Sequence, residues 1–127
     1  MIHRLFLIGL AGFAGTLCRY GLTEVVERRI GPQFPLGTVL VNISGCLIAG
    51  FLFYPLNEKA FASDIVRTAV MIGFLGGFTT FSSFGVQTFT LARDGEIMLA
   101  LLNFLLSNVV GLAFVWLGYS LSKLALA

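Results

Sequence analysis

Charge is scarce in this sequence, and so are the residues that form most soluble active sites. Only 11% of its 127 residues are charged and one is a histidine, whereas charged residues make up about 25% of an ordinary soluble domain. Hydrophobic residues account for 57% of the chain. The composition excludes an ordinary soluble domain and indicates an integral membrane protein.

Disulfide-forming and metal-binding residues are nearly absent as well. The cysteines Cys18 and Cys46 form no CxxC pair and lie inside apolar stretches, so we interpret them as small buried apolar residues. The single histidine, His3, has no cysteine or aspartate beside it. A zinc-type site is therefore not expected.

Acidic residues are missing from the middle of every apolar stretch. Glu24 and Glu27 come at the end of the first stretch, and the other four acids lie in loops. A cation or a proton inside a membrane needs a negative partner, so a proton-coupled cation exporter is disfavoured. The one charge expected inside a stretch is Arg19, whose long side chain can reach water. A cationic vestibule without a buried acid favours an anion.

Four apolar stretches are long enough to cross a membrane, whose hydrocarbon core takes about 20 residues of helix. The predicted spans are residues 5–26, 36–56, 65–91 and 97–121. Only short connections remain between them. The predicted fold class is an all-α integral membrane protein, with residues 1–127 forming a single four-helix transmembrane domain.

Small residues in the first and third spans predict helix faces that can pack closely against other helices. Gly73 and Gly77 form a GxxxG pair, and Gly12 and Gly15 share a helical face with Arg19. Helices in lipid associate where small residues let their backbones approach. Packing alone would account for these glycines, whatever the function of the chain.

Positive charges are divided almost evenly between the two sides that four spans create. One side would hold Arg4, Lys59, Arg67 and Lys123, and the other Arg28, Arg29 and Arg93. The positive-inside rule needs a clear excess to determine an orientation. We therefore predict insertion in both orientations, so that two copies associate as an antiparallel, dual-topology homodimer. A single orientation set by another feature is the alternative.

The third span contains the motif GGFTTFSSF at residues 76–84. Adjacent glycines cost a helix about 1 kcal/mol each relative to alanine, and β-branched threonines follow them here. We therefore predict that the third helix is broken over residues 76–80. Unwound backbone in a membrane must find partners, and broken helices find them at ion sites. On a two-fold axis, carbonyls from both copies would enclose one cation.

Aromatic rings and hydroxyl groups follow the predicted break. Phe81 and Phe84 lie three residues apart on one helical face, with Ser82 and Ser83 between them. The edge of a phenyl ring is electropositive and can contact an anion. Hydroxyl groups add hydrogen-bond donors, so this segment suits an anion pathway.

Polar residues also form stripes on the second and fourth spans. Thr38 and Asn42 are four residues apart, and Asn103, Ser107 and Gly111 repeat that spacing, so each set shares one helical face. Such residues face a cavity or a partner, because an unpaired polar group in lipid is costly. Hydrogen bonds between helices would explain them equally well.

Three segments resemble the signature sequences of the Fluc (CrcB) fluoride channels: GFAGTLCRY at residues 12–20, GTVLVNISG at 37–45 and GGFTTFSSF at 76–84. They occur in order within a four-span chain. The resemblance implies a passive fluoride-selective channel, not an enzyme, in the bacterial inner membrane. It also implies an antiparallel homodimer with two pores that exports cytoplasmic fluoride.

The resemblance further implies roles for individual residues. The anion pathway would be lined by Phe81, Phe84, Asn42, Thr38, Ser82, Ser83 and Ser107, with Arg19 in the vestibule. Backbone carbonyls of Gly76 and Thr79 would hold a structural sodium ion at the dimer centre. The expected partners are fluoride, a second copy of the chain and membrane lipid, with no nucleic acid. Asn103 and Gly111 depart from the family pattern, since some members carry tyrosine and serine at these positions.

Two other functions stay open from the sequence. A small four-span multidrug or cation exporter is also dimeric but should carry an embedded glutamate, which this chain lacks. A scaffold subunit without transport activity would use the polar stripes only as contacts between helices.

Overall fold

The computed structural model describes residues 1–127 as helices joined by short loops, without any strand. Four helical segments are long and apolar enough to span a membrane: Ile2–Ile30, Leu36–Glu58, Asp64–Arg93 and Ile97–Leu126. Each predicted span lies inside one of them, so the all-α fold class and the four spans are confirmed. We name the first helix α1, the second α2 and the fourth span α5.

The third span consists of two helices, α3 (residues 64–78) and α4 (Phe81–Arg93). Between them Thr79 (φ −84°, ψ 155°) and Thr80 (φ −146°, ψ 121°) have extended backbone. The predicted break is confirmed, but it is shorter than predicted, because Gly76 and Gly77 remain helical.

Close packing explains why residue 77 is a glycine, and the same holds for Gly73 and Gly15. A Cβ atom at Gly77 would lie 2.5 Å from the carbonyl oxygen of Gly12, and one at Gly73 would lie 2.8 Å from that of Ile8. A methyl group at Gly15 would overlap the carbonyl of Phe74. The small residues of α1 and of the third span therefore let these two helices pack closely against each other.

Helices α2 and α5 approach each other in the same way on the other side of the bundle. A methyl group at Gly50 would overlap the carbonyl oxygen of Val115, and one at Gly118 would overlap that of Leu47. These backbone contacts hold α5 against α2, which positions the polar stripe of α5 next to the break.

Polar contacts bring one end of the four spans together. Arg4 Nη2 lies 2.7 Å from Asp64 Oδ2, which joins the start of α1 to the start of α3. The Tyr119 hydroxyl donates to Glu58 Oε1 over 2.9 Å, which joins α5 to the end of α2. The N-terminus, the second loop and the C-terminal helix end therefore share one side, as four crossings require.

Apolar side chains cover the outside of the bundle. Only 20 of the 127 residues are buried. In a chain surrounded by lipid, leucine and phenylalanine side chains can remain on the outside because lipid tails are as apolar as they are. Cys46 is partly buried, but Cys18 lies exposed at the surface. The prediction of a buried Cys18 was wrong, because its helix face turns outward rather than toward a neighbouring helix.

Candidate functional site at the helix break

Asn42 on α2 pairs with the extended backbone of Thr80. Its Nδ2 donates to the Thr80 carbonyl over 2.9 Å, and its Oδ1 accepts from the Thr80 N–H over 2.8 Å. The carboxamide oxygen thus gives the Thr80 N–H the acceptor that a continuous helix would have provided. The second N–H of the Asn42 amide remains available as a donor.

The same side-chain contacts leave two carbonyl groups at the break without donors. In a continuous helix the Gly76 carbonyl would accept from the Thr80 N–H, and the Thr79 carbonyl from the Ser83 N–H. The Thr80 N–H is bonded to Asn42, and the Ser83 N–H donates to Thr80 Oγ1 over 3.2 Å. No hydrogen bond of the chain reaches either carbonyl. Both oxygens are suitable ligands for a hard cation, so these residues fit a sodium ion.

Arg19 lies against the break. Its Nε donates to the Gly77 carbonyl over 3.0 Å, so its guanidinium group is held beside the end of α3. Arg19 takes part in none of the ion pairs of the chain. Its positive charge is therefore not neutralised by a carboxylate.

Two clefts open on either side of the break. The first, which we call the aromatic cleft, has a volume of about 390 Å³, and its lining includes Asn42, Gly76, Thr79, Thr80, Phe81, Phe84, Ser107 and Asn108. The second, the polar cleft, has a volume of about 290 Å³ and is lined by Thr16, Arg19, Tyr20, Thr23, Thr38, Thr80, Ser83 and Gln87. Thr80 is the residue common to both, and no acidic side chain lines either cleft.

The two phenylalanines differ sharply in burial although their rings touch. Their centroids are 5.4 Å apart, with 46° between the ring planes. Phe84 is 6% exposed and also contacts Phe104, whereas Phe81 is 78% exposed. The chain itself holds Phe84, while Phe81 projects away from the bundle.

The predicted pathway residues are thus divided between the clefts. Asn42, Phe81, Phe84 and Ser107 lie in the aromatic cleft, together with Gly76 and Thr79. Thr38, Ser83 and Arg19 lie in the polar cleft. Ser82 is exposed and lines a neighbouring hollow of about 320 Å³ with Ser83, Val86 and Gln87.

Sequence reasoning missed Gln87 and Thr80. Gln87 Nε2 donates to Thr38 Oγ1 over 3.0 Å and so links α4 to α2 within the polar cleft. Thr80 separates the two clefts. Both could have been found from spacing, because Thr80, Ser83 and Gln87 follow one another at three and four residues and share one face of α4.

The stripe on α5 contributes unequally to the site. Ser107 lines the aromatic cleft, and its buried hydroxyl oxygen has no hydrogen-bond partner. Asn103 lines neither cleft, is fully buried, and donates from Nδ2 to Thr88 Oγ1 over 2.9 Å. Gly111 packs near Cys46, whose sulfur would lie 3.5 Å from an added Cβ atom.

This arrangement defines a class of protein. A four-span bundle whose broken helix separates a hydroxyl-lined cleft from an aromatic cleft is built as a membrane transport protein rather than an enzyme. The absence of an acid from both clefts leaves the cation exporter without support.

Comparison with known proteins agrees with this class. The family model described as CrcB-like protein, Camphor Resistance (CrcB), matches residues 6–119, and the chain belongs to this family. The resemblance found in the three motifs is confirmed.

Several curated relatives are named fluoride-specific ion channel FluC. The protein from Solibacter usitatus is 42% identical, over 92% of this chain and 96% of its own length. The protein from Desulforapulum autotrophicum is 42% identical, over 98% of this chain and 99% of its own. A Coxiella burnetii protein is 42% identical, over 92% of this chain and 95% of its own length.

Proposed function

We propose that this protein is a passive, fluoride-selective channel of the bacterial inner membrane that exports cytoplasmic fluoride and so relieves its toxicity. The observation that carries the proposal is the pair of acid-free clefts at the helix break, in a chain whose relatives are named fluoride-specific channels. The chain is a multi-pass membrane protein with four spans.

The electrostatics of the clefts support an anion. Arg19 contributes a positive charge without a carboxylate partner, and hydroxyl and amide groups surround it. Fluoride is small and strongly hydrated, so a pathway must replace its water with donors at short range. Asn42 has one free N–H for this purpose and Ser107 an unpaired hydroxyl.

The aromatic rings provide the second part of selectivity. Ring edges attract an anion without adding a full charge that would hold it too tightly. Phe81 and Phe84 are tilted at 46° to each other on one wall of the aromatic cleft. Conduction needs sites that bind well enough to admit the ion yet release it, and ring edges combine both properties.

The proposed assembly is an antiparallel homodimer with two pores. Phe81 is 78% exposed, so in a single chain this pathway residue lacks an opposing wall. The even distribution of positive charges is compatible with both orientations. A second copy, related by a two-fold axis in the membrane plane, would complete each aromatic cleft.

A structural sodium ion at the dimer centre is part of the proposal. One chain supplies two carbonyls without donors, from Gly76 and Thr79, and a two-fold axis doubles that number. Sodium would satisfy these oxygens, whose burial without a partner is costly. We expect that exchange of sodium for N-methylglucamine during purification reduces fluoride flux and weakens the dimer; full flux and dimer stability without sodium would exclude this role.

No energy source is needed for export. Hydrogen fluoride is a weak acid that crosses membranes as a neutral molecule and ionises in a more alkaline cytoplasm. A membrane potential that is negative inside then drives the anion outward through a passive pathway, by about 2.3 kcal/mol per 100 mV.

Vesicle flux tests the proposal. Purified protein is reconstituted in sodium-containing liposomes loaded with fluoride or with chloride, beside protein-free liposomes. We expect rapid fluoride release with chloride retained. Vesicles that hold fluoride, or that leak potassium or organic cations instead, would overturn the proposed function.

A further inference from the structure

Asn103 is a carboxamide sealed inside the bundle. It is 0% exposed and lies on α5, where its Nδ2 donates to Thr88 Oγ1 on α4 over 2.9 Å. It lines neither cleft. A polar group buried in a membrane helix usually has a specific partner and a role, and Thr88 is the partner here.

The hydrogen-bond directions link Asn103 to the backbone of Phe84. The Thr88 hydroxyl donates to the Phe84 carbonyl over 2.8 Å. A hydroxyl has one hydrogen, so Thr88 can only accept from Asn103, which determines the orientation of the amide. A hydrogen-bond relay therefore runs from Asn103 through Thr88 to Phe84.

This relay is poorly explained by stability alone. The orientation that serves Thr88 leaves Asn103 Oδ1 buried without a partner. An unsatisfied buried acceptor offsets much of what a single hydrogen bond contributes to folding. The contribution of the relay is therefore geometric, since it determines how α4 sits against α5.

The residue after Asn103 contacts the ring of Phe84. The Phe104 and Phe84 centroids are 6.5 Å apart, at 39° between planes, and Phe84 in turn touches Phe81. Helix α5 thus holds Phe84 at two points, its carbonyl through the relay and its ring through Phe104. A shift of α5 along α4 would rotate the ring edge that Phe84 presents to the aromatic cleft.

We propose that Asn103 is a positioning residue which, acting through Thr88, orients Phe84 and so sets discrimination between fluoride and chloride. This inference rests on the proposed channel function. It assigns to Asn103 a role in selectivity although its side chain does not contact the pathway.

The variant Thr88→Val tests the relay, because valine matches threonine in shape but neither donates nor accepts. The matched control is Thr90→Val, since Thr90 on the same helix makes the same backbone contact, to the Val86 carbonyl over 2.9 Å, without a partner on α5. We expect Thr88→Val to lower the fluoride-to-chloride flux ratio by about tenfold, which corresponds to about 1.4 kcal/mol of lost discrimination. Thr90→Val should leave the ratio unchanged, and Thr88→Ser should preserve it.

Coupling between the two residues provides a second measurement. If they act as one relay, Asn103→Leu lowers the ratio as Thr88→Val does, and the double variant is no worse than either. Additive losses would show independent roles and overturn the relay. The single variant Asn103→Ala replaces Thr88→Val should the latter fail to fold.

A spectroscopic readout separates ring orientation from folding. With 4-fluorophenylalanine at position 84, the ¹⁹F shift should move in Thr88→Val and stay in Thr90→Val. If both variants show equal ¹⁹F shifts and equal flux ratios, the inference is overturned. The channel function still stands in that case, provided that the wild-type protein passes fluoride. A wild-type protein that passes no fluoride overturns the channel function, and the inference with it.

Discussion

The two clefts that meet at Thr80 are built from different chemistry. The polar cleft has a full positive charge, Arg19, among hydroxyl groups, whereas the aromatic cleft has two phenylalanine rings, no charged side chain, and amide and hydroxyl groups. In the proposed channel the polar cleft attracts anions over a distance, and the aromatic cleft replaces the water bound to the anion at close range. Attraction of the anion and selection among anions therefore take place in separate clefts, on the two sides of one broken helix.

The largest effect is expected where the two clefts join. Asn42→Asp removes the donor to the Thr80 carbonyl and puts a negative charge beside the aromatic cleft. Fluoride flux should fall by at least about 100-fold, because a like charge in a low-dielectric pathway repels the ion strongly. The control is Asn57→Asp, at an exposed position outside both clefts. Preserved flux in Asn42→Asp would remove Asn42 from the pathway.

A smaller effect is expected from the charge of the polar cleft. Arg19→Gln keeps an N–H for the Gly77 carbonyl but removes the charge, so flux should drop by about tenfold. The difference should shrink as ionic strength rises, because salt screens the attraction. Arg29→Gln, at an exposed position without an ion pair, serves as the control. A loss that is the same at all salt concentrations would indicate a structural role for Arg19.

The two rings should respond differently to the same change. Phe81→Ile and Phe84→Ile are each expected to reduce flux several-fold with the dimer intact. Phe84→Ile should also lower thermal stability by about 1–2 kcal/mol, because Phe84 is 6% exposed and packs inside the chain. Phe89→Ile, at a 65% exposed ring on the same helix, is the control. Unchanged flux in both variants would exclude these rings from the anion pathway.

Substitution of the adjacent glycines, Gly76 and Gly77, by alanine should cause the smallest change in flux per folded channel. An added Cβ atom at Gly76 meets nothing within 4 Å, whereas one at Gly77 lies 2.5 Å from the Gly12 carbonyl oxygen. Gly77→Ala should therefore destabilise the protein by about 1–3 kcal/mol, and Gly76→Ala should leave the stability of the single chain near wild type. Thermal unfolding of the two variants measures this, and equal stabilities would contradict the close approach of α3 to α1.

Much of the site could be predicted because its signals are local. The break follows from adjacent glycines and threonines, and Phe81 and Phe84 share a face because they are three residues apart. Yet the predicted break, over residues 76–80, is longer than the observed break at residues 79 and 80. Residues 76 and 77 remain helical because this turn packs against α1 through Gly77, and that packing depends on a helix far away in the chain.

Contacts between distant residues account for what was missed. Asn42 and Thr80 are 38 positions apart, and Gln87 and Thr38 are 49 apart. Helical periodicity gives the face of each residue on its own helix, but it does not say which face of another helix lies opposite. The assignment of Thr38 and Asn42 to different clefts could not be obtained from a shared stripe.

The amino-acid sequence by itself determined the four membrane spans, the position of the break and the lack of any acid inside the bundle, because hydrophobic runs and local helix propensity act within one segment. Tertiary structure alone decided that Asn42 pairs with the Thr80 backbone, that Gly76 and Thr79 keep free carbonyls, and that Phe84 is buried while Phe81 is not. The physical reason is that hydrogen bonding and burial depend on which helices come together, and in lipid that is decided by the fit of small residues at their contacts.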